Sequence, residues 1–150
     1  MSQRLQMSQV NPKAYQAVLG LEQYIRANVE PTVLELLKLR ASILNGCAFC
    51  VDMHSRDALA AGEDSRRLFG VAAWRESPFF DERERAALAL TDEVTRLDKH
   101  GVTDEVWDEA VKHWSEEGVG DLLMAIATIN VWNRLAVPTR MQPSPLEPAA

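Results

Sequence analysis

Glu30 to Ala61 reads EPTVLELLKLRASILNGCAFCVDMHSRDALAA, and this stretch decides the fold. Pro31 sits where a helix takes its first residue, since its missing N–H is unpaired there anyway. Val33, Leu34, Leu37 and Leu44 recur at helical spacing, and Gly46 just beyond them supplies a C-cap. A second helix therefore starts at the cysteines and runs to about Ala61, where Gly62 stops it. On it Cys47, Cys50 and His54 are spaced i, i+3, i+7, which puts them on one stripe. The two cysteines fall in the first turn, where unpaired amides and the positive end of the helix dipole stabilise a thiolate. If the two helices fold back antiparallel at Gly46, a rise of ~1.5 Å per residue sets Glu35 and His54 at depths of roughly 16 and 12 Å. A carboxylate can then hold the imidazole tautomer and pass it a proton.

The flanking sequence is helical as well. Upstream, Asn11-Pro12 is an N-cap and first position, followed by Ala14, Val18, Leu21 and Ile25 on one face. Downstream, Asp64 opens a short piece ending near Gly70 or Trp74, and Ser77-Pro78 breaks the chain. A helix from about Asp81 follows, with Leu97 expected as its last buried residue, then one capped by Thr103. Ser115-Glu-Glu starts the last helix, whose segment Asp121 to Leu135 is apolar on most sides and is expected to be the central buried helix. After Val137, four prolines are expected to exclude a helix, leaving a tail or an arm over a neighbouring subunit. No run of period two suggests a strand. The expectation is an all-α compact bundle of about six to seven helices: one domain over residues 1–137, its core about 30–137, and a proline-rich tail over 138–150.

With 150 residues, the chain can bury a core without disulfide staples, and its 47% hydrophobic and 25% charged content is ordinary globular usage. A net charge of −6, with scattered Lys and Arg, argues against nucleic acid. The longest apolar run, Leu122 to Ala127, is too short to span a bilayer, and the first ten residues lack a secretory apolar region. A cytoplasmic protein in a reducing compartment is expected, where a paired CxxC reads as redox-active or metal-binding before structural.

Glu35 followed by Cys47-x-x-Cys50-x-x-x-His54 resembles the core motif of the alkylhydroperoxidase D-like proteins, within the carboxymuconolactone decarboxylase family, and AIATINVWNRLAV resembles the segment that closes that core. The resemblance implies an all-helical homo-oligomer, a trimer or hexamer, and a thiol-dependent peroxidase. In that cycle Cys50 attacks a hydroperoxide and becomes a sulfenic acid, and Cys47 resolves it as a disulfide. Glu35 and His54 would form the proton relay, and a dithiol reductant, such as a lipoyl-carrying protein, would restore the thiols; no cofactor is implied. The match departs at Phe49, where well-characterised members carry a second histidine, so the relay is shorter.

Other readings compete with this one. The same pair suits a thiol–disulfide reductase acting on lipoyl or protein disulfides, or a non-catalytic oligomeric redox sensor or binding protein. A zinc centre from Cys47, Cys50, His54 and Glu35 is disfavoured, because structural zinc pairs usually come from a knuckle rather than from one helix. Haem attachment would need histidine at Val51. Gly118-Val-Gly120 lacks the third glycine and the preceding strand of a dinucleotide site. His100 and His113 have no evident relay partner, and Trp107, Trp114 and Trp132 read as core or interface. Asn130, Asn133 and Arg134, on an otherwise apolar helix, need partners and are left without a role.

Overall fold

The computed structural model describes residues 2–146. In chain order it contains α1 (Met7–Val10), α2 (Pro12–Asn28), α3 (Pro31–Leu44), α4 (Ala48–Ala60), α5 (Ser65–Gly70), a single 3₁₀ turn (Val71–Ala73), α6 (Glu82–Thr95) and α7 (Asp104–Thr139). The described residues include no strand, so the fold is all-α as expected. The caps are those the sequence names. Asn11, Asp64, Asp81 and Thr103 each accept a backbone N–H in the first turn they precede, and Asp81 and Glu84 complete a reciprocal capping box.

α3, not the last helix, is the centre. Every residue from Val33 to Ser42 is buried, and α4, α6 and α7 all pack against it. Leu34 and Leu37 meet Ile25, Leu90, Leu122 and Ile126 on one side. Leu36 and Leu39 meet Leu68, Val71, Trp74 and Phe80 on the other. Each such leucine contributes roughly 1.5–3 kcal/mol of burial. The last helix is instead one-faced: Leu122, Ala125, Ile126 and Ile129 are buried, whereas Met124, Ala127 and Val137 are exposed. The charges of α3 hide its position in the sequence. Lys38, with no exposed surface, pairs with Glu22 at 2.5 Å. Arg40 forks onto Asp92 with its Nε at 2.5 Å and Nη2 at 3.1 Å, and donates to the carbonyls of Val71 and Ala72. A charged residue can be central when its charge is paired in this way.

Two further expectations are corrected. Leu97 is 63% exposed, because α6 ends at Thr95 before reaching it. Trp107, expected in a core or interface, is 42% exposed in the single chain and so is not a core residue. The chain stays helical through Pro138 to Thr139, the proline giving up its N–H bond one residue before the helix ends. Arg140 then turns left-handed at φ 59°, and Met141 donates to Ala136 at 3.0 Å, closing the helix in a Schellman pattern. The expected break at Ser115 is present, at φ 62° and ψ 169°, with its hydroxyl capping Gly118. Residues 141–146 have no regular structure, and the remainder of the proline-rich tail lies outside the described residues. At the other end, Arg4 donates its backbone N–H to Thr139 at 2.8 Å and ties the N-terminal segment to the end of α7.

Candidate active site

Gly46 adopts φ +65°, which a residue with a Cβ reaches only with strain, and it turns the chain from α3 into α4. Cys47 is consequently the N-cap of α4. Its sulfur accepts the backbone N–H of Cys50 at 3.4 Å and lies 2.6 Å from the Cys50 sulfur. Both are free cysteines, and both are buried. The two thiols share a proton across this contact. The neighbouring Cys50 thiol and backbone N–H, with the Asn133 amide, outweigh burial and bring Cys47 down to about 7. Cys50 is pushed up, because its proton is held by Cys47, and burial and the neighbouring charge add to that. The pair thus titrates as a unit that keeps one shared proton over a wide range. Thiolate ultraviolet absorbance of the reduced protein is expected to show one equivalent with a midpoint near 7 and the second only in strongly alkaline solution. A single two-thiol step near the ordinary thiol value would contradict this.

One turn beyond Cys50, His54 is 2% exposed, and its Nδ1 lies 2.8 Å from Glu35 Oε2. Long side chains close the few ångströms between their expected depths. His54 Nε2 is the one buried side-chain polar atom among the described residues with no hydrogen-bond partner. Glu35 is driven up by burial, but the bond to His54 and the charges of Lys38 and Arg26 hold its carboxyl below the usual range. Behind it, Glu22 collects Lys38, Arg26 at 2.7 Å and the Trp132 indole N–H at 3.2 Å. This network fixes α2, α3 and α7 around the pair.

Cys50 and His54 both line a cavity of about 370 Å³, and Cys47 does not. Phe49 and Met53 from α4, Tyr15 and Leu19 from α2, and Trp132 and Leu135 from α7 form apolar walls. Tyr15 and Trp132 meet edge to face with centroids 5.2 Å apart. Gln3, Gln6, Met7 and Ser8 of the N-terminal segment, Glu22 and Arg26 of α2, Ala136 of α7 and Met141 after it complete the lining. The arrangement presents one thiol and one unpartnered imidazole nitrogen to a small apolar ligand, with the second thiol in contact behind.

All four residues singled out in the sequence are brought together, as two contacting pairs joined through neighbouring positions on α4. Among the described residues the sulfurs do not share one cluster of ligand atoms with Glu35 and His54. Sequence reasoning left Asn133 without a role. It is 1% exposed, donates to Ser42 at 3.1 Å, accepts from Asn45 at 2.8 Å, and lowers both thiols. Its signal was visible as an asparagine on an apolar face. Asn130 likewise accepts from Asn45 at 2.9 Å. Arg134 stays on its own helix, donating to Asn130 at 2.6 Å. His113 has a carboxylate partner one turn back, Glu109 at 3.3 Å, which the sequence reading did not identify.

A model of the carboxymuconolactone decarboxylase family matches residues 12–93. The uncharacterized protein YdfG of Bacillus subtilis is 37% identical over 138 residues, covering 91% of this chain and 94% of its own. A crystal structure from Agrobacterium tumefaciens, of unknown function and named for AhpD antioxidant defence, superposes with a TM-score of 0.93 at 39% identity, covering 97% of this chain and all of that one. The debrominase Bmp8, solved without ligand, gives a TM-score of 0.78 at 25% identity over 89% of this chain and 73% of its own. Bmp8 has also been solved with 2,3,4-tribromopyrrole.

Proposed function

The chain belongs to the carboxymuconolactone decarboxylase family, and from that premise we propose that it is a dithiol hydroperoxidase. The observation that supports this most is the cavity in which Cys50 faces a ligand beside the unpartnered Nε2 of His54, with Cys47 in contact behind it. Cys50 passes its proton to Cys47 or to His54 and attacks the distal oxygen. The O–O bond breaks, Cys50 becomes a sulfenic acid, and the departing alkoxide takes the proton back as an alcohol. Cys47 then attacks the sulfenic sulfur, releasing water and closing a disulfide. A proton shared across the direct sulfur–sulfur contact can move to Cys47 as Cys50 attacks. A reduced dithiol restores the pair by exchange. A homo-oligomer accompanies this reading, as does the absence of a helix long and apolar enough to cross a membrane among the described residues.

A second reading draws on the aromatic side chains of Tyr15, Phe49 and Trp132 in the cavity and on the likeness to Bmp8. The same two electrons would replace an aryl bromine by hydrogen: the thiol–thiolate pair closes to a disulfide, its one proton goes to the ring carbon, and bromide leaves. Continuous assays with dithiothreitol or a reduced lipoyl carrier separate the two: consumption of an organic hydroperoxide by the wild type is expected. Bromide release from a bromopyrrole without hydroperoxide consumption would replace this reading with the second.

A further inference from the structure

The Glu35–His54 pair stands between two recesses. His54 and Cys50 line the apolar cavity, and Glu35 does not. Glu35 lines a separate cleft of about 600 Å³, which neither His54 nor either cysteine reaches. Asp57, one turn beyond His54 on α4 and exposed, lies in that cleft. Glu35, His54 and Asp57 each place a nitrogen or oxygen within 4.8 Å of the other two. The remaining charged groups of the cleft already have ion-pair partners, among them Arg26, which lies 3.8 Å from Glu35 Oε1. Arg26 is bonded to Glu22 at 2.7 Å, and Glu63 takes Arg67 at 2.9 Å and the Asp64 backbone at 2.8 Å. The Asp57 carboxylate makes no hydrogen bond or ion pair among the described residues.

From this juxtaposition we infer that Asp57 is the proton-exchange residue of the site, carrying protons between solvent in the second cleft and the buried Glu35–His54 pair. The inference rests on the redox-active dithiol proposed above. The stoichiometry calls for such a route. A pair resting with one thiolate and one thiol, oxidised by ROOH, gives a disulfide, ROH and water only if one proton enters from outside. Reduction back to the same state by a dithiol releases that proton again. The first cavity, although Gln3, Gln6, Ser8, Glu22 and Arg26 line part of it, is the poorer path during turnover because the bound substrate occupies it. Asp57 meets the exposure that proton exchange requires, and Glu35 gives it contact with the buried histidine.

The test uses the full-length protein and stopped-flow oxidation of the reduced dithiol by cumene hydroperoxide, followed through the loss of thiolate absorbance. In dilute, bulky buffer Asp57→Asn is expected to be roughly a hundredfold slower than wild type, the lower end of the range for a positioned acid–base group. Added imidazole is expected to restore most of the rate in the variant and to leave wild type unchanged. Asp52→Asn, on the same helix but in neither recess, is the control and is expected to match wild type. A wild-type rate in Asp57→Asn, or slowing that small buffers do not rescue, would overturn the inference. The same comparison with hydroxyethyl disulfide as oxidant consumes the same proton and keeps the two readings apart. If wild type reacts with the disulfide but not with the hydroperoxide, the peroxidase proposal falls and the disulfide arm still decides Asp57. If it reacts with neither, both fall.

Discussion

Cys50→Ser is expected to lower hydroperoxide consumption by at least ~10³-fold, the scale on which loss of a nucleophile registers. A serine in that position keeps the size and the contact with Cys47, but its hydroxyl is not ionised at neutral pH and is a poor nucleophile for oxygen. Cys47→Ser is expected to behave differently. Its Cys50 can still attack once, so a single equivalent of hydroperoxide is reduced and the sulfenic acid persists, open to trapping by dimedone. The split between the variants carries the assignment, because both thiols are buried and both contribute to the shared proton. Only Cys50 lines the cavity. If Cys47→Ser loses the first equivalent and Cys50→Ser keeps it, the roles are reversed and Cys47 is the attacking thiol.

The second large effect concerns stability rather than chemistry. Asp92→Ala is expected to cost about 3–5 kcal/mol, the range for breaking a buried ion pair from one side. Asp92 accepts from Arg40, Arg75 and the Trp74 indole, and so holds α6 and the 3₁₀ turn to the central helix. Removing it leaves Arg40, 8% exposed, with two backbone carbonyls and no counter-charge. For a chain of this length the melting temperature is expected to fall by on the order of 10 °C. Lys112→Ala, which breaks an exposed pair with Glu109, is expected to change stability by less than about 1 kcal/mol. Burial pushes the Asp92 carboxyl up, but its cations hold it below the usual range. Its folded value is therefore lower than its unfolded one. The stabilisation is complete above the unfolded carboxylate range and is lost as pH falls through the folded value, so thermal scans of Asp92→Ala should lose less on acidification than those of wild type. An unchanged melting temperature would show that Arg40 finds another partner.

How much of this was legible in the sequence follows from what each residue must satisfy. Helix starts were, because Asn11, Pro31, Asp81 and Thr103 answer a local need for unpaired backbone groups. So was the meeting of the two pairs, since the glycine turn after Leu44 brings α3 and α4 side by side. The central position of α3 was not, because Lys38 and Arg40 interrupt its apolar pattern until Glu22 and Asp92 arrive from other helices to pair with them. Asn133 was hidden for the same reason: its partners Ser42 and Asn45 lie about ninety positions away. The N-terminal cover over the cavity left no pattern at all, since residues 2–10 hold no apolar period and are positioned through the backbone bond of Arg4.

The central claim is that Cys50 and Cys47 together deliver two electrons to a hydroperoxide. Its most direct measurement is titration of the fully reduced wild type with one equivalent of cumene hydroperoxide, followed by intact-mass and peptide mass spectrometry under non-reducing conditions. The account predicts stoichiometric alcohol, loss of two hydrogens from the protein, and a single intramolecular bridge between Cys47 and Cys50. Intact thiols with the hydroperoxide unconsumed, or oxygen added to methionine while both cysteines remain free, would contradict it.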